Sequence, residues 1–161
     1  MNKSNIIFLL VIIAIGVFFF YRYKVPHDIA FHDLPLTTTT GQQVRLMDNL
    51  NKPAVIHFYA SWCGPCMKEL PDALAFAKAH QDKYYFYFIT DDPMPKMLNI
   101  MERFNGQSDM FFQIPSLNEV DVYSIPMTYF IDQKGNIKKS VMGECEWNNP
   151  NYISEINAYF N

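Results

Sequence analysis

The longest apolar stretch of the sequence lies close to the N-terminus. An unbroken run of 16 uncharged, almost wholly apolar residues extends from Ile6 to Tyr21. Lys3 lies before this run, and Arg22 and Lys24 follow it. As an α-helix the run would span about 24 Å, somewhat less than the roughly 30 Å hydrocarbon core of a bilayer. No polar residue interrupts it to form a solvent-facing side, so the pattern argues against a buried helix of a soluble domain.

The end of the apolar run distinguishes a membrane anchor from a cleaved signal peptide. A signal peptide carries small residues at its cleavage site, whereas this run ends in Phe18, Phe19, Phe20 and Tyr21. The pattern therefore favours an uncleaved anchor or signal over residues 1–24, followed by a soluble domain over residues 25–161. The positive charges on the two sides of the run are nearly balanced, so they leave its orientation open.

Two further apolar runs predict strands buried in a central sheet. They extend from Ala54 to Ala60 and from Tyr84 to Thr90. Each is followed by residues with helical spacing, from Cys63 to His80 and from Met94 to Phe104. The segment Asp91-Asp92-Pro93 supplies start signals for the second helix. The sequence therefore predicts a β-α-β-α unit.

Two hairpins are predicted on either side of this unit. After a linker over Val25–His32, the segments Thr37–Gly41 and Val44–Leu46 predict a hairpin ahead of the main fold. A second, antiparallel hairpin is predicted from Met127–Ile131 and Ile137–Met142, which a turn of five residues joins.

A closing helix from Pro150 to Phe160 completes the predicted fold. The order of elements predicts an α/β protein with a mixed sheet that helices cover on both faces. Half of the 161 residues are hydrophobic, which is enough for one domain with a sizeable core and a short accessory segment. The sequence has no low-complexity tract and no fixed repeat, so a disordered chain and a solenoid are excluded.

Charge excludes one class of partner. Three of the 13 basic residues precede the first acidic residue, Asp28, so ten basic residues stand against all 16 acidic ones from residue 25 onward, a net charge of −6. Beyond the pair Lys138 and Lys139 there is no basic cluster in this part. Such a domain would repel a phosphate backbone, so we expect no nucleic-acid partner.

The candidate chemistry lies in the motif Cys63-Gly64-Pro65-Cys66, at the end of a predicted strand and the start of a predicted helix. At a helix N-terminus, unpaired amides and the helix dipole stabilise a thiolate. The thiol pKa in such sites falls from about 8.5 to between roughly 3.5 and 7.5, so Cys63 is the predicted nucleophile. Cys66 lies one turn further on and is the predicted resolving thiol.

Two other uses of a C-x-x-C motif are less consistent with the sequence. A structural zinc site needs four ligands, but the chain has one cysteine pair, a third cysteine at Cys145 and four scattered histidines. A merely structural disulfide would staple distant segments rather than close a tight Gly-Pro loop. We therefore expect no metal and no cofactor other than a redox-active disulfide between Cys63 and Cys66.

Over residues 28–160 the sequence resembles thioredoxin, and within that superfamily the membrane-anchored TlpA/ResA-like thiol-disulfide oxidoreductases of bacterial envelopes. The motifs that carry this resemblance are Phe58-Tyr59-Ala60-Ser61, Trp62-Cys63-Gly64-Pro65-Cys66, Glu69-Leu70-Pro71 and the segment from Ser124 to Asp132. The resemblance implies a thioredoxin-like fold with an N-terminal β-hairpin extension and a single transmembrane helix.

The resemblance also implies roles for residues around the cysteine pair. Ile125-Pro126 would be a cis peptide bond beside the cysteines, with the backbone of Ile125 offered to a substrate peptide. Pro71 would kink the active-site helix; by itself it would only indicate a helix breaker. Trp62, Gly64 and Pro65 would support the pair.

Two residues depart from the pattern of thioredoxin. At the position six residues before the first cysteine, where thioredoxin has a buried aspartate, this chain has His57. His57 could transfer a proton, could lower the pKa of the nearby thiol if charged, or could be a hydrogen-bonded core residue. Cys145 lies outside the motif; we expect an unpaired thiol, with a regulatory or intermolecular disulfide as the alternative.

The leading functional hypothesis is an extracytoplasmic or periplasmic disulfide reductase. It would take electrons from a membrane thiol protein and pass them to cysteines of envelope proteins, and the resemblance implies apocytochrome c, in cytochrome c maturation, as one client. The Gly-Pro pair favours this direction, since thioredoxin has a potential of about −270 mV against about −120 mV for DsbA. The alternatives are a disulfide oxidase or isomerase and a membrane-tethered metal-binding module.

Overall fold

The computed structural model describes residues 3–24 and 29–160, and within them it has four α-helices and seven β-strands. The helices are α1 (Lys3–Lys24), α2 (Gly64–His80), α3 (Met94–Arg103) and α4 (Tyr152–Tyr159). The strands are β1 (Pro35–Thr38), β2 (Gln43–Arg45), β3 (Ala54–Phe58), β4 (Tyr85–Thr90), β5 (Phe111–Gln113), β6 (Met127–Ile131) and β7 (Ile137–Met142). Short 3₁₀ segments lie at Phe31–Asp33, Leu46–Asn49, Ser108–Met110 and Asn118–Val120. Residues 25–28 of the predicted linker lie outside the described residues.

Helix α1 is long and apolar enough to cross a membrane. Its 22 residues correspond to about 33 Å, so the helix exceeds the roughly 30 Å hydrocarbon core that the apolar run alone did not reach. The segment Ser4–Tyr21 has a mean hydropathy of 2.5 and is wholly exposed to its surroundings. Signal sequences share these properties, so the division into an anchor over residues 1–24 and a domain over residues 25–161 stays a prediction.

The seven strands form one mixed sheet in the order β2-β1-β5-β4-β3-β6-β7. Strand β4 pairs in parallel with both β3 and β5, whereas β6 runs antiparallel to β3 and β7 antiparallel to β6. The sequence analysis missed β5, which also pairs with β1 and so joins the predicted N-terminal hairpin to the main sheet. The predicted fold class is confirmed, with the hairpin as an extension of the sheet.

The two faces of the sheet are covered differently. Helices α2, α3 and α4 pack on one face, where Leu70, Met97 and Ile156 are buried with the side chains of alternate strand residues. The crossovers β3-α2-β4 and β4-α3-β5 step in the same direction, so right-handed connections place both helices on this face. The other face is covered largely by 3₁₀ segments and the chain around them, including Phe31 and Leu117, so the α-helical cover predicted for both faces is present on one face only.

Strand β3 leads into α2 at the centre of the molecule. It ends at Phe58, two residues before the predicted end, and a buried connection over residues 59–60 continues to the helix. Cys63 is the N-cap of α2, and Pro65 lies in the first turn. N–H groups in the first turn of a helix have no acceptor within the helix, so the missing N–H of proline costs no hydrogen bond there. The helix continues through Pro71, which is exposed and lies one turn after Met67.

Candidate active site

The cysteine pair is closed as a disulfide at the N-terminus of α2. The Cys66 amide donates a hydrogen bond of 3.2 Å to the Cys63 sulfur, so the sulfur takes up one of the amides that the helix start leaves unpaired. Cys63 is 5% exposed and Cys66 is fully buried, whereas Gly64 and Pro65 between them are exposed. Cys63 is therefore the sulfur that an attacking or attacked partner can reach.

The surface beside Cys63 carries an apolar side chain. Trp62 is 71% exposed, and among the described residues outside α1 it is the one large hydrophobic side chain that is mostly in solvent. An exposed indole next to a reactive sulfur offers a contact for apolar side chains of a partner protein. This position suits the predicted support role of Trp62.

The Ile125-Pro126 peptide bond is cis, as the resemblance implied. Ile125 is half-buried and packs against the apolar cluster that contains Cys63 and Cys66. The Pro126 carbonyl accepts a hydrogen bond of 2.9 Å from the Gly143 amide, and Gly143 has a φ of +97° that favours glycine. The structure thus confirms the cis bond and packs Ile125 against the cluster that includes the cysteine pair, while the binding of a substrate peptide by Ile125 stays a prediction.

Asp92 holds the connection between β3 and α2 in place. Its buried carboxylate accepts hydrogen bonds from the Ser61 amide at 2.6 Å and the Ser61 hydroxyl at 2.8 Å. Helix α3 starts directly after the predicted start segment Asp91-Asp92-Pro93, with Pro93 as its N-cap and no side-chain cap. Asp92 instead reaches across from the end of β4, since β3 and β4 run parallel and end at the same edge.

A buried polar network links β3, α2 and β6. Nδ1 of His57 lies 2.9 Å from Oγ1 of Thr128, and Nε2 of His57 lies 3.7 Å from Oε1 of Glu69. Neither Nε2 nor Oε1 has a hydrogen-bond partner among the described residues. The same imidazole packs edge-on against Phe88 and Trp147, which close the space around it.

The second oxygen of Glu69 is well satisfied. Oε2 accepts hydrogen bonds from the Cys145 amide at 2.9 Å and from Nε1 of Trp147 at 3.0 Å. Burial raises the pKa of Glu69 to about 6, and these two donors limit the rise. Burial also lowers the pKa of His57 to about 4. At neutral pH the site therefore holds a neutral imidazole beside a carboxylate.

Glu69 is a residue of this network that was not predicted as a site residue from the sequence. It was recognised only as part of a family motif, although it lies three residues after Cys66 on α2. Residues at this spacing share a helix face, with Cβ atoms about 5–6 Å apart. A carboxylate on the buried face next to Cys66 could therefore have been identified from helical spacing alone.

Cys145 is a free, half-buried thiol close to the same network. Its Sγ donates to Oγ1 of Thr128 at 3.5 Å. Burial raises the pKa of Cys145, so this sulfur stays a thiol near neutral pH and is a weaker nucleophile than a typical exposed cysteine. Within residues 3–24 and 29–160, no three His, Cys, Asp or Glu side chains converge on a possible metal site.

Comparisons with known proteins agree with this geometry. A family model described as AhpC/TSA family matches residues 28–140. The thioredoxin-like protein YneN of Bacillus subtilis is 29% identical over 116 residues, which are 69% of this chain and 68% of that protein. The thiol-disulfide oxidoreductase ResA of Geobacillus thermodenitrificans is 28% identical over 150 residues, which are 86% of this chain and 85% of that protein.

A solved structure shares the fold. The crystal structure of StoA from Bacillus subtilis superposes with a TM-score of 0.62 at 21% identity, and the match covers 77% of this chain and 95% of StoA. The described domain therefore shares its overall fold with StoA.

Replacing Glu69 by Gln should change how stability depends on pH. The pKa of Glu69 is raised in the folded protein, so its contribution to the free energy of unfolding is complete below pH 4.5 and is lost as the pH rises to about 6. A rise of this size corresponds to about 2 kcal/mol. Relative to wild type, Glu69→Gln should therefore gain about 2 kcal/mol between pH 4 and pH 7, measured by urea unfolding at a series of pH values.

Glu102→Gln is the matched control for this measurement, because it removes an exposed carboxylate from α3. Its unfolding curve should follow wild type at every pH. A constant difference between Glu69→Gln and wild type across this range would contradict the raised pKa of Glu69.

Proposed function

We propose that this chain, which belongs to the AhpC/TSA family and is a thiol-disulfide oxidoreductase, reduces disulfide bonds of other proteins outside the cytoplasm. The observation that carries the proposal is the disulfide at the start of α2, in which Cys63 keeps 5% of its surface exposed and Cys66, one turn further along the helix, keeps none. A pair so placed can exchange with a partner through Cys63 alone.

The proposed reaction starts from the reduced protein. The Cys63 thiolate attacks a client disulfide, so the client S–S bond breaks and a mixed disulfide forms, while the second client sulfur leaves and takes up a proton. Cys66 then loses its proton and attacks the Cys63 sulfur, which releases the first client sulfur as a thiol. The client gains two electrons and two protons, and Cys63 and Cys66 are left as a disulfide that a membrane thiol protein would reduce again.

The electrostatics of the site support reduction over oxidation. A strong disulfide oxidant needs a thiolate that its surroundings stabilise well beyond the helix start. The one residue predicted from the sequence to give such stabilisation was a charged His57. Burial lowers the pKa of His57 to about 4, so the imidazole is neutral at pH 7. The nearby Glu69 carboxylate would add repulsion to a thiolate at Cys66.

The proposed location and clients rest on the N-terminal helix and the relatives. The exposed helix α1, with its apolar run of 16 residues, suits insertion into a membrane, and the client disulfides that a reductase would act on form and persist outside the cytoplasm. The relatives include proteins named ResA, and the resemblance makes apocytochrome c before haem attachment a candidate client.

Replacing either cysteine should separate the two steps of exchange. Cys63→Ala should reduce insulin-disulfide reduction to the level of solvent background, because no accessible nucleophile remains. Cys66→Ser should instead accumulate mixed disulfides on Cys63, visible as bands of higher mass on non-reducing gels of cells that express the full chain. The double variant Cys63→Ala/Cys66→Ser is the control and should trap no client; bands that persist in it would show that another residue forms them.

The reduction potential of the Cys63–Cys66 pair should lie nearer to about −270 mV than to about −120 mV, as for a reductase rather than a strong oxidant. Equilibration of the purified protein with glutathione buffers or dithiothreitol at pH 7 measures this potential. A value close to that of DsbA would support the oxidase alternative while leaving the exchange chemistry intact.

An alkaline phosphatase reporter fused after residue 161 should be active in cells, because this enzyme forms its disulfides outside the cytoplasm. The same fusion starting at residue 25 lacks α1 and is the matched control, which should be inactive. Activity in the control, or inactivity of the full fusion with an active cytoplasmic reporter at the same site, would overturn the proposed location.

A further inference from the structure

The buried polar network contains four side chains from four parts of the chain. It comprises Glu69 on α2, His57 on β3, Thr128 on β6 and Cys145 in the loop after β7. The backbone amide of Cys145 also donates a hydrogen bond to Glu69, so the two ends of the network are connected. The proposed disulfide exchange does not use Cys145. Its contacts in this network therefore suggest a separate role.

The Thr128 hydroxyl has a single hydrogen, and the group to which it donates this hydrogen determines which other atoms of the network are donors and which are acceptors. Thr128 is fully buried, and its oxygen accepts the Cys145 thiol hydrogen at 3.5 Å. Its own hydrogen is then available for Nδ1 of His57 at 2.9 Å. A neutral imidazole that accepts at Nδ1 carries its hydrogen on Nε2, which faces the Glu69 carboxylate. With Glu69 ionised, the Thr128 hydroxyl has a partner on both sides, and the Nε2 hydrogen of His57 faces Oε1 of Glu69 across 3.7 Å, which is too long for a hydrogen bond.

When the pair of His57 and Glu69 takes up one proton, the donor and acceptor roles along the network are exchanged. If the proton binds Oε1 of Glu69, it points at Nε2 of His57, and the imidazole hydrogen moves to Nδ1. If the proton binds the imidazole instead, Nδ1 again carries a hydrogen. In both cases Nδ1 donates to Thr128, so the Thr128 hydroxyl must turn and donate to the Cys145 sulfur.

We propose that Cys145 is a positioning residue for the buried pair of His57 and Glu69. When the pair is deprotonated, the Cys145 thiol donates to Thr128, and the Thr128 hydroxyl donates to His57. When the pair is protonated, His57 donates to Thr128, and the Cys145 sulfur accepts the hydrogen of the Thr128 hydroxyl. Cys145 thereby sets how readily the pair takes up a proton. The proposal deepens the proposed function in one respect, because the pair lies one helical turn from Cys66.

Several other groups surround the network and share in its titration. The Glu144 carboxylate raises the pKa of Glu69 from the loop after β7, and Lys68 on α2 lies 3.2 Å from Glu144. From α4, Tyr152 lowers and Glu155 raises the pKa of Cys145. The burial that raises the pKa of Glu69 to about 6 places proton uptake by the pair just below neutral pH.

The role of Cys145 predicts opposite behaviour for two small substitutions. Cys145→Ala removes the acceptor that the turned Thr128 hydroxyl needs, so the protonated state leaves a buried hydroxyl without a partner. The pair should then bind its proton less tightly. Cys145→Ser keeps a group that both donates and accepts, so it should restore the wild-type titration.

The test uses the full chain in detergent micelles with the Cys63–Cys66 disulfide intact. Carboxyl ¹³C and imidazole ¹⁵N resonances report the titration, with Glu69→Gln and His57→Asn as assignment variants. Cys145→Ala should lower the midpoint of the pair by at least about 0.5 pH unit, an approximately threefold loss of proton affinity. Cys145→Ser should stay within half of that shift. In the Thr128→Val background, Cys145→Ala should have no further effect, because the connection is already broken.

The wild-type protein alone provides a decisive measurement. Above the midpoint, the imidazole hydrogen of His57 should be on Nε2, and below it Nδ1 should also gain or take over a hydrogen. A hydrogen on Nδ1 above the midpoint would overturn the proposal, as would an unchanged or raised midpoint in Cys145→Ala. Every measurement is made on oxidised protein that does not turn over, so a failure of the proposed reductase activity would leave these results unaffected.

Discussion

The N-terminus of α2 is the constraint on which the site depends. The Cys63 sulfur accepts an amide hydrogen bond from Cys66, at the place where a helix has unpaired donors and a favourable dipole for negative charge. The same helix sets the distance to Cys66 and turns that sulfur into the core. Strand β3 and the hydrogen bonds from Ser61 to Asp92 hold the helix start against the sheet. The backbone at the helix start is therefore suited to stabilise a thiolate at Cys63.

The elements with a strong local signal were predictable, and the missed ones depend on distant partners. β3, β4, α2 and α3 follow from continuous apolar runs and helical spacing. Strand β5 is only three residues long and forms because β4 on one side and β1 on the other offer unpaired backbone groups. Asp92 resembled a helix-start residue locally, but the parallel pairing of β3 and β4 brings it to Ser61, which lies 31 residues away in sequence.

The candidate site divides in the same way. The cysteine pair, the cis bond before Pro126 and the position of His57 could be assigned from motifs, because these features are local or belong to a recognisable pattern. The contact of Glu69 with the Cys145 amide could not, because 76 residues separate them and only the return of the chain after β7 joins them. A buried carboxylate is tolerated there because two N–H donors satisfy one of its oxygens.

The burial of Cys66 has a consequence for kinetics. Because only the Cys63 edge is open, a partner that delivers electrons and a partner that receives them must dock at the same place, one after the other. The enzyme should therefore follow ping-pong kinetics, in which each partner inhibits competitively against the other when it is in excess. Net flux would then be greatest when the concentrations of the two partners are balanced, a requirement set by how deeply one sulfur lies beneath the other.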